Sequence, residues 1–323
     1  MGTGELAAPT GWAIFAAQRA VMLLSSFATD WLVWSSCRSS LALLFFASSP
    51  VTMTFLLQPF SNSLETWFFA ASIALVFRMS IGPRTHHLVL LGGASALGIW
   101  PRVTFVAFAS PLVVAVAILL AKPGDGQAGT PFVLFSNPSL LRLLPTTSLR
   151  QHPLLPTAPY ARIYRSEPSS LVLTPLKLLR YNVSAAYLAD HGLHPRYLHV
   201  LVNWPMLFGA GLAVVFDSGS RLGAEAGRAG EGSKTAVLLI ACLEVPTLLL
   251  SVQTHQEPRF LVPLIIPLVL LAFQAPFLSS NTAQGKKRRK IFSVLWLTHS
   301  VLFTLLFGYL HQGGRLPAIF TLN

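Results

Sequence analysis

Apolar runs of membrane-spanning length recur along the chain, parted by short polar or basic stretches. A transmembrane helix takes about 20 mostly apolar residues. Clean runs of that kind cover residues 41–60, 103–121, 199–216, 260–278 and 291–310. Residues 12–34 form a weaker run, broken by Arg19 and Asp30, and residues 235–252 form another that contains Glu244. Residues 66–77 and 86–100 are short and need flanking residues to span. The pattern predicts an all-α polytopic membrane protein with about nine transmembrane helices. It forms a single integral membrane domain over residues 1–323, expected to be incomplete. Pro111, Pro205, Pro246, Pro263 and Pro267 fall inside the runs, which predicts kinked helices packed on one another. Residues 122–170 break the pattern. They hold Pro123, Pro131, Pro138, Pro145, Pro153, Pro156, Pro159 and Pro168 and read as an irregular Pro-rich segment.

Composition narrows the class. Charged residues make up 11% of the 323 residues and hydrophobic ones 53%. A soluble domain carries roughly 25% charged residues, so a soluble enzyme is excluded, and the same numbers exclude disorder. Two cysteines, Cys37 and Cys242, exclude a disulfide scaffold and a Cys-based zinc site. The net charge is +12, and its one dense block is Lys286, Lys287, Arg288, Arg289 and Lys290. That block lacks the interleaved aromatics of a nucleic-acid surface, so no nucleic-acid partner is expected. It reads as a cytoplasmic flank by the positive-inside rule. The N-terminus has Glu5 and no basic region before its apolar stretch, unlike a signal peptide.

The basic block sets the orientation. With residues 281–290 cytoplasmic, the run 260–278 starts on the far, luminal side, which places His255–Arg259 there. Residues 217–234 become a second cytoplasmic loop. The sequon Asn182-Val183-Ser184, a glycosylation candidate at Asn182, becomes luminal. Counting from the front, with Arg38, Arg78 and Arg84 cytoplasmic, residues 122–170 must cross the membrane once, and their short apolar runs do not allow it.

The densest candidate chemistry is Thr254-His255-Gln256-Glu257-Pro258-Arg259-Phe260, an imidazole, a carboxylate and a guanidinium at the mouth of a span. Such groups are costly near hydrocarbon and mark an ion pair or a site. As a site it suits a phosphate-bearing lipid, with Arg259 binding phosphate oxygens and His255 donating to them. As a plain feature it is an interfacial anchor with an internal Glu–Arg pair. Phe60-Ser61-Asn62-Ser63-Leu64-Glu65 reads as a helix N-cap with an acid in the first turn. Arg102 is either a snorkelling anchor or a phosphate contact. His191 and His194 have no carboxylate cluster beside them, so no metal is expected. Glu244 reads as an acid packed, protonated or paired inside the bundle.

Taken together, these residues resemble the polytopic mannosyltransferases of glycosyltransferase family 22, which use dolichyl-phosphate mannose in the endoplasmic reticulum. His255–Pro263 is similar to their His-(Lys/Gln)-Glu-(Glu/Pro)-Arg-Phe signature. The form His-Gln-Glu-Pro-Arg-Phe-Leu resembles the branch that adds the fourth mannose to glycosylphosphatidylinositol (GPI). Residues 60–65, 102–105, 171–182, 191–196 with Leu201-Val202-Asn203, and 311–314 agree in order with that branch. The resemblance implies a GT-C type fold and a multi-pass protein of the endoplasmic reticulum membrane. It implies inverting transfer of mannose from dolichyl-phosphate mannose to the third mannose of a GPI glycolipid intermediate, through an α-1,2 bond. No cofactor beyond the donor is implied. Arg259, His255 and Arg102 are the residues expected to face the leaving phosphate, with Gln256, Glu257 and Glu65 binding or orienting around them.

Three departures accompany the resemblance. The family's early luminal Asp/Glu loop, which bears the presumed general base, has no counterpart in the context of Glu5 or Asp30. The Pro-rich segment stands where the family has a further span. Glu244 is an unusual acid within a span. The expectation is a truncated or mis-spliced form with little or no catalysis by itself, its base lying outside this chain. The competing readings are a solute or lipid transporter, a seven-helix receptor, and a non-catalytic member of the same family.

Overall fold

The computed structural model describes residues 11–82, 85–121, 194–224, 231–275, 278 and 280–310. The Pro-rich segment 122–170, the matches at 171–182 and 311–314, His191 and the sequon at Asn182 lie outside the described residues. Every regular element within them is helical. The α-helices are α1 (Gly11–Cys37), α2 (Ser40–Ala47), α3 (Ser61–Ile81), α4 (Thr85–Ile99), α5 (Phe105–Leu120), α6 (Trp204–Phe208), α7 (Leu212–Ala224), α8 (Glu231–Ser251), α9 (Ile265–Gln274) and α10 (Ala283–Leu305). Wider π-type turns at Val51–Leu56, His199–Asn203 and Leu306–Leu310, and tighter 3-10 turns at Gly209–Gly211 and Pro258–Leu264, adjoin them.

Among the described residues, four helical stretches are long and apolar enough to cross a membrane: Ser61–Ile81, His199–Leu222, Lys234–Ser251 and Ala283–Leu310. Thr85–Ile99, Phe105–Leu120 and Pro258–Gln274 are apolar but shorter. Within the described residues the run 41–60 is two elements rather than one helix. Its chain stops at Ser48–Pro50, and the Ser49 hydroxyl accepts the Thr52 N–H at 3.0 Å, capping the next turn. Arg19, which interrupts the first run in sequence, lies within the continuous α1 and donates to the Leu57 carbonyl at 3.0 Å, satisfying the end of that turn.

Two expected loops are largely helical. α7 reaches through Asp217 to Ala224, held by an Arg221–Asp217 pair of 2.6 Å one turn apart. α10 begins at Ala283, where Thr282 accepts the Gly285 N–H at 3.0 Å, so the basic block is its first two turns. Residues 225–230 lie outside the described residues.

The run from Leu261 to Ala272 is buried on every side. A helix apolar all round belongs at the centre of its neighbours, and α9 packs on α8, α2 and α7 there. α10 is the opposite case. Val294, Leu295, Leu297, Val301, Leu302 and Leu305 stay exposed along it, the outward apolar face that lipid would cover. Where α6 turns into α7, Gly209 takes φ +46 and a Cβ there would stand 2.4 Å from the His299 ring. Only glycine fits both the backbone and the space. His299 meets the Met206 carbonyl at 3.1 Å and fixes α10 to this turn.

Glu244 departs from expectation. It sits on the exposed face of α8, beside Leu248 and Leu249, rather than inside the bundle.

Candidate functional site

Pro258 locks the first 3-10 turn, so His255, Gln256 and Glu257 precede a helix that cannot extend backwards through them. Glu257 adopts an extended backbone and its carboxylate faces an imidazole and a guanidinium. His255 Nε2 lies 2.9 Å from Glu257 Oε1. Arg259 Nη2 donates to the same oxygen at 3.0 Å, and Arg259 Nε pairs with Oε2. The guanidinium thus grips the carboxylate through two nitrogens, the planar fork that arginine supplies. Burial raises the Glu257 carboxyl pKa. The hydrogen bond and charge of Arg259, then those of His255, outweigh it and hold it below the ordinary carboxylate value. The Arg259 side chain stays 43% exposed, so one face of its charge is open to a ligand.

The start of α3 lies against this segment. Phe60 occupies the cap position without a capping side chain. Glu65 is not in the first turn, as the sequence reading has it, but further along, and it is fully buried. Arg102, between α4 and α5, answers it: Arg102 Nε stands 3.3 Å from Glu65 Oε2. Thr104 donates to Glu65 Oε1 at 2.7 Å and accepts from Arg102 Nε at 3.1 Å. Burial lowers the Arg102 pKa, Glu65 opposes that, and nearby Arg259 adds to it. The guanidinium carbon lies 4.9 Å from the centre of the Phe260 ring, a cation–π contact.

Asn62 joins the two halves. It accepts from Arg102 Nη1 at 3.2 Å and donates to the Arg259 carbonyl at 2.8 Å. The buried Glu65–Arg102 pair thereby fixes the backbone that carries Arg259.

Gln256 takes a part different from the expected one. Only 1% exposed, its carboxamide accepts the His199 N–H at 2.9 Å. Its Nε2 lies 3.0 to 3.2 Å from the carbonyls of Ser251, Gln253 and Arg196. Its amide nitrogen and oxygen are both engaged by backbone, and its burial makes it the knot under the motif. His194 supports the same knot. Its N–H donates to the Thr254 carbonyl at 2.7 Å, and its Nδ1 lies 3.4 Å from the Gln256 nitrogen.

The structure therefore brings His255, Glu257, Arg259, Arg102 and Glu65 into one cluster and divides their work. Arg102, expected at a phosphate, is 17% exposed and committed to Glu65. Arg259, at 43% exposure, is the accessible cation, and His255, at 12%, stands behind it on the same carboxylate. Sequence reasoning missed Asn62 and Thr104 as members. Both are polar residues at the starts of apolar helices, a signal that capping explains equally well. Among the described residues no group of three or more His, Cys, Asp or Glu side chains is placed to hold a metal ion.

Comparison with known proteins places the chain in a family. Human GPI alpha-1,2-mannosyltransferase 4 is 32% identical over 96% of this chain and 55% of its own length. GPI mannosyltransferase 4 of Aspergillus oryzae is 30% identical over 98% of the chain and 55% of its own. The Emericella nidulans protein of that name is 32% identical over 97% and 54%. The chain spans about half the length of these curated relatives. No solved structure matches it. The model of the Alg9-like mannosyltransferase family matches residues 4–322, nearly the whole sequence. The chain belongs to the Alg9-like mannosyltransferase family.

Proposed function

We propose that this chain carries the donor-phosphate half of a GPI α-1,2-mannosyltransferase of the endoplasmic reticulum membrane. In the proposed reaction a hydroxyl of the third GPI mannose attacks C1 of dolichyl-phosphate mannose. The bond from C1 to the phosphate oxygen breaks, dolichyl phosphate leaves with its electron pair, and the hydroxyl proton passes to a base. Negative charge grows on the leaving phosphate, and fixed cations aimed at that spot lower the barrier. The carrying observation is the Arg259 guanidinium, fixed by Glu257 and backed by Asn62 but still open on one face. His255 stands on the same carboxylate and helps to hold it in place. Glu257 and Glu65 are each held by an arginine, and neither suits the role of proton acceptor. The proposed base lies outside this cluster. The donor carries its own activated sugar, so the reading asks for no resident cofactor. A transporter reading needs acids around an interior cavity; Glu244 faces outward instead.

The test separates binding from turnover. Microsomes containing the chain are irradiated with a photoreactive dolichyl-phosphate mannose analogue. Labelling of the chain is expected, with a loss of roughly ten-fold or more in Arg259→Ala, as for a charge-assisted phosphate contact. Arg259→Lys is expected to restore part of it. Labelling that ignores Arg259 overturns the reading.

A further inference from the structure

We propose that the groove between α7 and α10 binds one anionic glycerophospholipid from the surrounding membrane, its headgroup on Arg288 and an acyl chain along Ala213, Ile291 and Leu295. This proposal stands apart from the catalytic reading and shares no residue with it.

Just before α7, the turn at Gly209–Gly211 packs against α10, with Gly211 facing Trp296 and Leu268. A Cβ there would stand 3.2 Å from Trp296 and 2.8 Å from Leu268. Beyond that contact the helices part, and a cavity of about 310 Å³ opens between Ala213 and Asp217 on one side and Arg288, Ile291 and Leu295 on the other. These positions repeat at helical spacing, so each helix gives the groove one continuous face. The groove also crosses a chemical boundary. Lys286 to Lys290 are all basic, and the apolar run of α10 begins at Ile291. Arg288 therefore sits at headgroup level, and Ile291 and Leu295 lie one and two turns deeper.

Charge identifies the occupant. The groove's acid, Asp217, is already paired with Arg221 at 2.6 Å. Among the described residues, none of Lys286, Lys287, Arg288 and Lys290 pairs with a carboxylate. The groove thus offers uncompensated positive charge above an apolar slot, on a helix long and apolar enough to cross a membrane. A bilayer supplies one molecule with the matching order of groups, a lipid with a negative headgroup and hydrocarbon beneath. Basic pockets between membrane helices bind such headgroups.

The chain is purified in detergent micelles doped with equal amounts of phosphatidylserine and phosphatidylcholine bearing the same acyl chains, and the lipids retained are counted by native mass spectrometry. Preferential retention of one phosphatidylserine is expected, weakening as salt is raised. Arg288→Glu is expected to lower it roughly ten-fold or more. Lys286→Glu makes the same charge change outside the groove lining and is expected to do far less. Ala213→Trp fills the slot without changing charge and is expected to match Arg288→Glu. Equal retention of the two lipids overturns the proposal. So do equal losses in the two Glu variants, which would indicate diffuse attraction to the basic block, and undiminished retention in Ala213→Trp.

Discussion

Arg102 and Arg259 carry the same charge a few residues' width apart, yet their surroundings assign them opposite duties. Arg102 is enclosed by Glu65, Thr104, Asn62 and the Phe260 ring. Arg259 shares one carboxylate with His255 and keeps an open face. Removing one partner of a buried pair leaves the other charge desolvated and unmatched. Arg102→Met is therefore expected to cost about 3 kcal/mol of stability. Adding Glu65→Gln should return at least about 1 kcal/mol of it, because the stranded charge is gone. Denaturant unfolding of the four members of this double-mutant cycle measures both numbers; additive losses would show that the pair is not coupled. The division between the two arginines is invisible in the sequence, where each is simply a cation beside an apolar run. The compact His-Gln-Glu-Pro-Arg motif was legible because its residues are neighbours in the chain. Glu65, Asn62 and Arg102 join it only through folding, across 40 residues in one case and 197 in another. The backbone knot around Gln256 was hidden for a related reason: a polar side chain within a charged motif reads as ligand-facing unless the carbonyls that surround it are known.

Elements follow the hydrophobic pattern where length alone decides and depart from it where backbone chemistry intervenes. The runs containing α3, α5, α8 and α10 were legible as helices. The run 41–60 was not, because Ser48, Ser49 and Pro50 end one helix and cap the next within a continuously apolar stretch. The central place of α9 was also hidden, since a membrane-facing helix and a core helix are equally apolar. The junction of α6 and α7 depends on one residue. Gly209→Ala forces a side chain into φ +46 and into the His299 ring, and is expected to cost about 2 kcal/mol or more. The same change at Gly219, where a Cβ meets nothing within 4 Å, is expected to be neutral or slightly stabilising. Thermal unfolding followed by circular dichroism compares the two; equal midpoints would show that the α6–α7 turn does not need its glycine.

At the scale of the molecule, the His255–Arg259 segment and the basic block of α10 lie on either side, in the chain, of the run that is buried from Leu261 to Ala272. The proposed reaction places its donor on the luminal side, and the positive-inside rule predicts the opposite side for the basic block. Acceptor sequons inserted after Gln253 and after Asn281 report the sides directly. Glycosylation is expected at the first insertion and not at the second. The reverse pattern would move the cluster to the cytosol and remove the luminal reaction.

The Gln256 knot has a further consequence. Its amide draws the Arg196, His199, Ser251 and Gln253 backbones together before any ligand arrives. In the proposed reaction, a headgroup docking at Arg259 meets a mould already cast. Little chain motion remains to be frozen, so recognition should be governed by fit rather than by adaptation, and near-miss analogues should be turned away sharply.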